Sequence, residues 1–144
     1  MAVRKPFSQA LYDKHDNTAK AALLHILEGS GHEVKDVAEN FYADVVSVKD
    51  GVRYHNEAEV KRAWLGDWPE SWTEIRIPER KSRLLKKYNY NVNFYVFNND
   101  LSYCWYIKGT QLTPDTLATA KGRNIMKGEE FFHIPYKEAE LVCV

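Results

Sequence analysis

One short segment of the chain carries charged side chains at alternate positions. Every second residue from Arg53 to Lys61 is polar or charged, and Glu57 and Glu59 are among them. Side chains alternate between the two faces of a β-strand, so these residues share one face if the segment is a strand. Carboxylates and an ammonium on one face can bind a cation and a phosphate, or can simply face water.

A tight turn brings a third carboxylate toward this face. The sequence Asp50–Gly51 easily supplies the positive φ angles that a two-residue hairpin loop requires. Such a loop places Asp44 of the preceding strand opposite Glu57 and diagonal to Glu59, roughly 7–8 Å away. A loop that is one residue longer would move Asp44 to the other face.

The convergence of these carboxylates predicts a metal site. Like charges at short range repel one another and raise each other's pKa. A divalent cation would relieve the repulsion, and oxygen ligands with retained waters suit Mg²⁺ or Mn²⁺. Lys61 would then orient a water molecule or stabilise negative charge developing on a phosphoryl group. The alternative is that the charged face is only the solvated side of a half-buried strand.

Asp44, followed after the hairpin by Glu59-Val60-Lys61, resembles the D…(D/E)-x-K motif of the PD-(D/E)XK nuclease superfamily. The predicted order of elements over residues 16–108 (helix, three strands, helix, strand) is also similar to the core of that family. The resemblance implies that Asp44, Glu59 and the Val60 carbonyl hold the metal ion. It also implies that Lys61 is the catalytic lysine.

Departures from the family pattern leave the supporting residues open. Ala43 stands where many members have a proline, and the body of the first helix lacks the glutamate that many members direct at the metal. Asp16 is a candidate for that supporting role, or it caps the helix. Glu57 is a further catalytic or second-metal carboxylate, or a surface residue. His55 shares the face of Glu57 and is a candidate supporting residue.

A basic segment after the hairpin is a candidate for contacts to phosphate groups. A helix is predicted over residues 79–88, and Arg80, Arg83 and Lys87 recur on one of its sides. On that helical projection Lys81 lies off the basic side. A solvated helix face is the alternative interpretation.

Tryptophans follow the charged segment at intervals of four residues, at positions 64, 68 and 72. Trp64 and Trp68 are candidates to stack on the bases of a nucleic acid at the mouth of the site. Aromatic residues at this density more often pack a core or fix a loop, which is the alternative.

The composition predicts one folded domain over residues 1–144. Hydrophobic residues make up 44% of the chain and aromatic residues 13%, which is enough for a core and unlike a disordered chain. The pattern predicts a helix and three strands, then the basic helix and two strands. This is an α/β plan with a central mixed sheet flanked by helices, resembling the restriction-endonuclease-like αβββαβ core over about 16–108, with a C-terminal extension over 109–144.

Charge and cysteine content exclude several other classes. The 20 basic and 20 acidic residues cancel, so no overall field draws the chain to nucleic acid. Cys104 and Cys143 are far apart in sequence, which argues against a zinc site or a disulfide framework. No run resembles a signal peptide or a membrane span, which predicts an intracellular, cytoplasmic protein.

Together these features predict a Mg²⁺- or Mn²⁺-dependent endo- or exonuclease. The family resemblance favours DNA over RNA as substrate, and the size is similar to that of small phage or resolvase-like members. A homodimer would supply one site for each strand of a duplex. The alternatives are a non-catalytic nucleic-acid-binding or inhibitor module on the same scaffold, and a structural α/β protein with a charged sheet face.

Overall fold

Two β-sheets and two α-helices make up the computed structural model, which describes residues 9–37, 44–120 and 125–144. The side chains of residues 9–17, 36 and 37 lie outside this description. The elements are α1 (Gln9–Gly29), β1 (Glu33–Val37), β2 (Val45–Lys49), β3 (Val52–Val60), β4 (Glu74–Pro78), α2 (Ser82–Lys87), β5 (Val92–Phe97), β6 (Tyr103–Lys108), β7 (Leu117–Thr119), β8 (Glu130–Pro135) and β9 (Glu140–Cys143).

The larger sheet has six strands in the order β1-β2-β3-β5-β6-β9. Strands β3 and β5 run parallel, and the other neighbours in this sheet are antiparallel. The predicted mixed sheet is therefore confirmed. Parallel neighbours need a long crossover, and here the crossover contains β4 and α2.

The two faces of the larger sheet are covered differently. On one face, Leu23 and Leu27 of α1 pack against Val45 and Phe97. On the other face, Phe94 and its neighbours pack against α2 and a second sheet of order β4-β8-β7. The prediction that helices flank the sheet is thus correct for α1 and incomplete for the other face, where three antiparallel strands supply most of the cover.

The second sheet escaped prediction because its strands are short and come from distant parts of the chain. Strand β4 alternates buried Ile75 and Ile77 with half-buried residues. Because the strand is only five residues long, this alternation gives a weak periodic signal. Strand β8 pairs with β4, and β9 completes the larger sheet, so the C-terminal extension contributes strands to both sheets. Among the described residues, no helix is long and apolar enough to cross a membrane.

The predicted helices are correct in kind and wrong in their limits. Helix α1 begins at Gln9, so Asp16 lies inside the helix and is not its N-cap. The basic segment is a 3₁₀ turn over Glu79–Lys81 followed by the six-residue helix α2. Leu84 and Leu85 of α2 are buried, as the apolar pattern predicts.

The hairpin between β2 and β3 has the predicted register. Lys49 pairs with Val52 across a two-residue loop in which Asp50 and Gly51 both have positive φ angles, 52° and 78°. The ladder continues to the pair of Val45 with Asn56. Asp44, the next residue back along the chain, therefore lies beside Glu57.

Candidate functional site

The carboxylate of Asp44 is fixed by backbone and side-chain groups of β3. The Ala58 N–H donates a hydrogen bond to Asp44 Oδ2 at 2.9 Å, and the Asp44 N–H donates to Glu57 Oε2 at 3.2 Å. This reciprocal pair of bonds holds the two acidic residues together where the described part of the β2–β3 ladder ends. The predicted convergence of these two residues is present in the structure.

The charged face of β3 is not the solvated side of the sheet. Glu57 and Glu59 pair in the parallel ladder with Phe94 and Val96, which belong to the core beneath α2 and the second sheet. The side chains of Glu57 and Glu59 are only 7% and 18% exposed. Charged groups so far from water need compensating partners, because desolvation penalises their ionised forms.

Backbone geometry directs the Val60 carbonyl toward Asp44. The Lys61 N–H donates to Phe97 O of β5, whereas the Ala58 N–H points to the opposite edge of β3, at Asp44. Alternate residues of a strand direct their N–H and C=O groups to the same edge. Val60, two residues from Ala58, therefore points its carbonyl to the edge where Asp44 lies.

Lys81 is the cation closest to these carboxylates among the ion pairs of the site. Its Nζ lies 2.5 Å from Glu57 Oε1 and 3.5 Å from Glu59 Oε1, with the Lys81 side chain 11% exposed. The sequence pattern missed this role because it placed Lys81 on an α-helix, off the basic side. The 3₁₀ turn that follows Pro78 has three residues per turn, so the α-helical projection of Lys81 does not apply.

The pKa values of the site reflect crowded charge. Burial, followed by the negative charge of Glu57, raises the pKa of Asp44 to about 7, although Ala58, Lys20 and Lys81 all act to lower it. Burial acts to lower the pKa of Lys81, but Glu59 and Glu57 outweigh it and raise that pKa. The ionised form of Asp44 is thus disfavoured, chiefly by burial, even with Lys20 and Lys81 nearby.

Lys61 has a different electrostatic environment. Burial lowers the pKa of its ammonium, Glu59 acts in the opposite direction, and the nearby Arg76 lowers it further. A lysine whose pKa is lowered exchanges its proton more readily near neutral pH.

An open cleft of about 530 Å³ leads to the carboxylates. Asp44, Glu57 and Glu59 line it together with the Val60 backbone segment and Ala19 of α1. Six cationic side chains also line this cleft, and three of them, at positions 62, 76 and 81, were not predicted as site residues: Lys61, Arg62, Arg76, Arg80, Lys81 and Arg83. The structure therefore brings Arg80 and Arg83 to the same cleft as the acidic residues.

Apart from the tryptophans, two predicted residues with described side chains, Lys87 and His55, do not line the cleft. Lys87 lies at the end of α2 with its Nζ 5.9 Å from the centre of the Tyr88 ring. His55 stacks on the ring of Tyr88, with 3.7 Å between the two ring centres. Burial, and next the charge of Arg53, lower the pKa of His55. Asp16 lies on α1, but its side chain is outside the described residues.

The tryptophans form part of the core. Trp64 is fully buried, which leaves no ring face for a base, so the prediction of substrate stacking by Trp64 is wrong. Trp68 is half-buried, meets the rings of Trp64 and Trp105 edge-on, and donates from Nε1 to the Trp72 carbonyl at 2.8 Å. The alternative interpretation, that these residues pack a core and fix the loop after β3, is the one the structure supports.

The donor set fits a hard divalent cation that keeps several water molecules. Among the described residues, no group of three or more His, Cys, Asp or Glu side chains has the arrangement of a metal site. Mg²⁺, however, is commonly held by one or two carboxylates with waters completing its coordination. The adjacent carboxylates of Asp44 and Glu57, whose burial and mutual repulsion raise the pKa of Asp44, meet that requirement.

Neither family models nor curated sequences give a relative from which a function could be transferred. No protein-family model matches the chain, and no curated protein matches it in sequence. The geometry of the cleft therefore carries the functional argument.

Proposed function

We propose that this protein is a metal-dependent nuclease that hydrolyses phosphodiester bonds in the cleft at the end of β3. The observation that carries the proposal is the convergence of Asp44, Glu57 and Glu59 on a largely buried strand face, beside Lys61 and a row of arginines. Burying carboxylates together is costly. A metal ion bound by these carboxylates would compensate their negative charge, and a phosphate group could then bind beside it.

The order of the elements supports the resemblance to the PD-(D/E)XK superfamily. Without β4, the chain runs through α1, three strands, α2 and β5. Asp44 precedes the second of those strands, and Glu59-Val60-Lys61 ends the third. DNA is the proposed substrate on this resemblance alone.

Each residue of the site has a role that its position supports. Asp44, Glu59 and the Val60 carbonyl are the proposed ligands of Mg²⁺ or Mn²⁺, with Glu57 as an additional carboxylate. The metal ion, when bound, would polarise the phosphoryl group and lower the pKa of a water molecule. Lys61 is proposed to orient the attacking water or to stabilise the charge that develops on the phosphoryl oxygens.

The arginines at the cleft rim are proposed to hold the phosphate backbone. Arg76 lies on β4, and Arg80 lies in the 3₁₀ turn that follows this strand, so two adjoining elements direct guanidinium groups at the cleft. Guanidinium groups match the geometry of phosphate oxygens and remain charged at all relevant pH values. They would position a strand of nucleic acid above the carboxylates without reading its bases.

Cleavage assays test the proposal directly. Plasmid DNA and single-stranded DNA are incubated with the protein and Mn²⁺, and wild type is compared with Lys61→Ala and with the control Lys86→Ala. Lys86 is exposed on α2 and does not line the cleft. We expect wild type and Lys86→Ala to cut, and Lys61→Ala to lose at least about 10²-fold in rate. Equal cleavage by Lys61→Ala would remove Lys61 from the mechanism.

A non-catalytic nucleic-acid-binding module is the second candidate function. The observation that favours it is the ion pairing of Lys81 with Glu57 and Glu59, which already compensates part of the acidic charge. Calorimetric titration with Mn²⁺ separates the two candidates. The nuclease should bind the ion and lose that binding in Asp44→Ala, whereas the binding module should bind DNA and no metal ion.

A further inference from the structure

The ammonium group of Lys81 lies against Glu57 and Glu59, which are a proposed additional carboxylate and a proposed ligand of the metal site. Its Nζ contacts Glu57 Oε1 at 2.5 Å and is 3.5 Å from Glu59 Oε1. A divalent ion that binds Glu59 and takes Glu57 as an additional ligand must approach their carboxylate oxygens at about 2.0–2.1 Å. The ammonium and the ion would then lie within about 5 Å of each other, where their like charges repel strongly.

The charges around Lys81 explain why a cation is needed there before any metal ion binds. Glu57 and Glu59 are largely buried, and Asp44 accepts a hydrogen bond from the N–H of Ala58, which lies between them in sequence. Lys20 approaches Asp44 from α1, with 3.8 Å between Nζ and Oδ1. The Lys81 Nζ is closer to Glu57 Oε1 and Glu59 Oε1 than the Lys20 Nζ is to Asp44 Oδ1. Lys81 therefore compensates the negative charge of the glutamates more directly than Lys20 compensates that of Asp44.

We propose that Lys81 is a built-in competitor of the divalent cation, which neutralises Glu57 and Glu59 in the metal-free protein and leaves Glu57 when the ion binds. This inference rests on the proposed function, because it takes Asp44 and the glutamates as the metal site. It assigns Lys81 a positioning role, with no contact to the reacting atoms.

The position of Lys81 gives its displacement a direction. Lys81 lines the cleft, between Arg80 and Arg83 in sequence, and a lysine side chain has four rotatable methylene groups. An ammonium released from Glu57 can therefore turn into the cleft without movement of the backbone. It would then add a positive charge beside the arginines that are proposed to hold phosphate. Metal binding and phosphate binding would thus strengthen each other.

Calorimetric titration with Mn²⁺ at pH 8 tests the proposal without measuring catalysis. Wild type is compared with Lys81→Met, which keeps the length of the side chain and removes its charge, and with Lys86→Met as a matched control on α2. Removing a unit positive charge within about 5 Å of the ion should tighten binding at least about tenfold at an effective dielectric near 20. Lys86→Met should bind as wild type does.

The outcomes distinguish this inference from the proposed function. Tighter binding by Lys81→Met supports the competitor role. Binding by wild type that is unchanged or weakened in Lys81→Met overturns the competitor role and leaves the nuclease proposal intact. Absence of binding in both proteins overturns the two together.

A measurement on the wild-type protein decides the question even if Lys81→Met does not fold. Selectively ¹³C-labelled lysine allows the Cε resonance of each lysine to be followed while Mg²⁺ is added. We expect the resonance of Lys81 to shift and narrow as its side chain gains freedom, while that of Lys86 stays unchanged. A Lys81 resonance that stays fixed at metal saturation would show that the ammonium is not displaced, and would refute the proposal.

Discussion

Replacing Asp44 by asparagine should stabilise the metal-free protein at pH 8 while it removes metal binding. The carboxylate of Asp44 is 16% exposed and adjoins Glu57, and the pKa of Asp44 is raised from 3.8 to about 7. At pH 8 the folded protein must therefore hold an ionised group in surroundings that favour its neutral form. Asparagine resembles that neutral form and can still accept the hydrogen bond from Ala58.

The pH dependence follows from the direction of the shift. Well below pH 3.8, Asp44 is protonated in the folded and the unfolded chain and contributes nothing to the pH dependence of the free energy of unfolding. Between pH 4 and 7 the unfolded chain has released the proton and the folded chain has kept it, so the free energy of unfolding falls as the pH rises. A rise in pKa from 3.8 to about 7 corresponds to at most about 4 kcal/mol, at 1.36 kcal/mol for each pKa unit.

Asparagine does not recover the whole of this energy. Its NH₂ group brings two hydrogen-bond donors where the protonated carboxyl has one, and placing them near Lys20, whose Nζ lies 3.8 Å from Asp44 Oδ1, offsets part of the gain. We therefore expect Asp44→Asn to raise the free energy of unfolding by about 2–4 kcal/mol at pH 8 and by less than about 0.5 kcal/mol at pH 4.

Urea unfolding in EDTA at several pH values between 4 and 8 measures this difference. Subtracting the wild-type curve from that of Asp44→Asn isolates Asp44, since the other titrating groups are common to both proteins. Asp67→Asn, which changes an exposed carboxylate on the loop after β3, is the control and should change the free energy of unfolding by less than about 0.5 kcal/mol. A difference that is flat for Asp44→Asn, or that falls with rising pH, would refute the account of charge crowding.

Two further perturbations test other parts of the structure. Arg80→Ala should weaken DNA binding and reduce its salt dependence. The magnitude of the slope of log K against log salt concentration should fall by about 0.9, because one phosphate contact is lost. Fluorescence anisotropy at several salt concentrations measures this slope. Arg53→Ala, at the far end of β3, should leave that slope unchanged. Trp64→Ala should lower the free energy of unfolding by about 3–5 kcal/mol, because Trp64 is fully buried in the aromatic core. The folded fraction of Trp64→Ala should keep the wild-type affinity for DNA, and a selective loss of that affinity would restore Trp64 as a substrate contact.

Local patterns in the sequence predict the hairpin and its consequences. Asp50–Gly51 favours a two-residue turn, and strand alternation then fixes which side chains share a face with Glu57. The same reasoning finds the apolar stripe of α1, where Leu23 and Leu27 are buried. These features depend on residues close together in the chain, so that spacing alone specifies them.

Other features of the site could not be read from spacing. The helical pattern after Pro78 places Arg80 and Arg83 together, but it gives Lys81 the wrong direction because the chain makes a 3₁₀ turn before α2. Arg76 was missed because β4 is short, and its pairing with β8 joins segments more than fifty residues apart. Trp64 gives the same sequence signal whether it faces a substrate or the core.

The sequence by itself determined a compact set of chemical groups: the carboxylates of Asp44, Glu57 and Glu59, the ammonium of Lys61, and the turn that aligns them. Tertiary structure alone decided that this strand face is covered by a second sheet and that Lys81 comes to lie between two glutamates. The reason is physical. Strand alternation and turn geometry act over a few residues, whereas burial and charge compensation depend on which distant segments pack together.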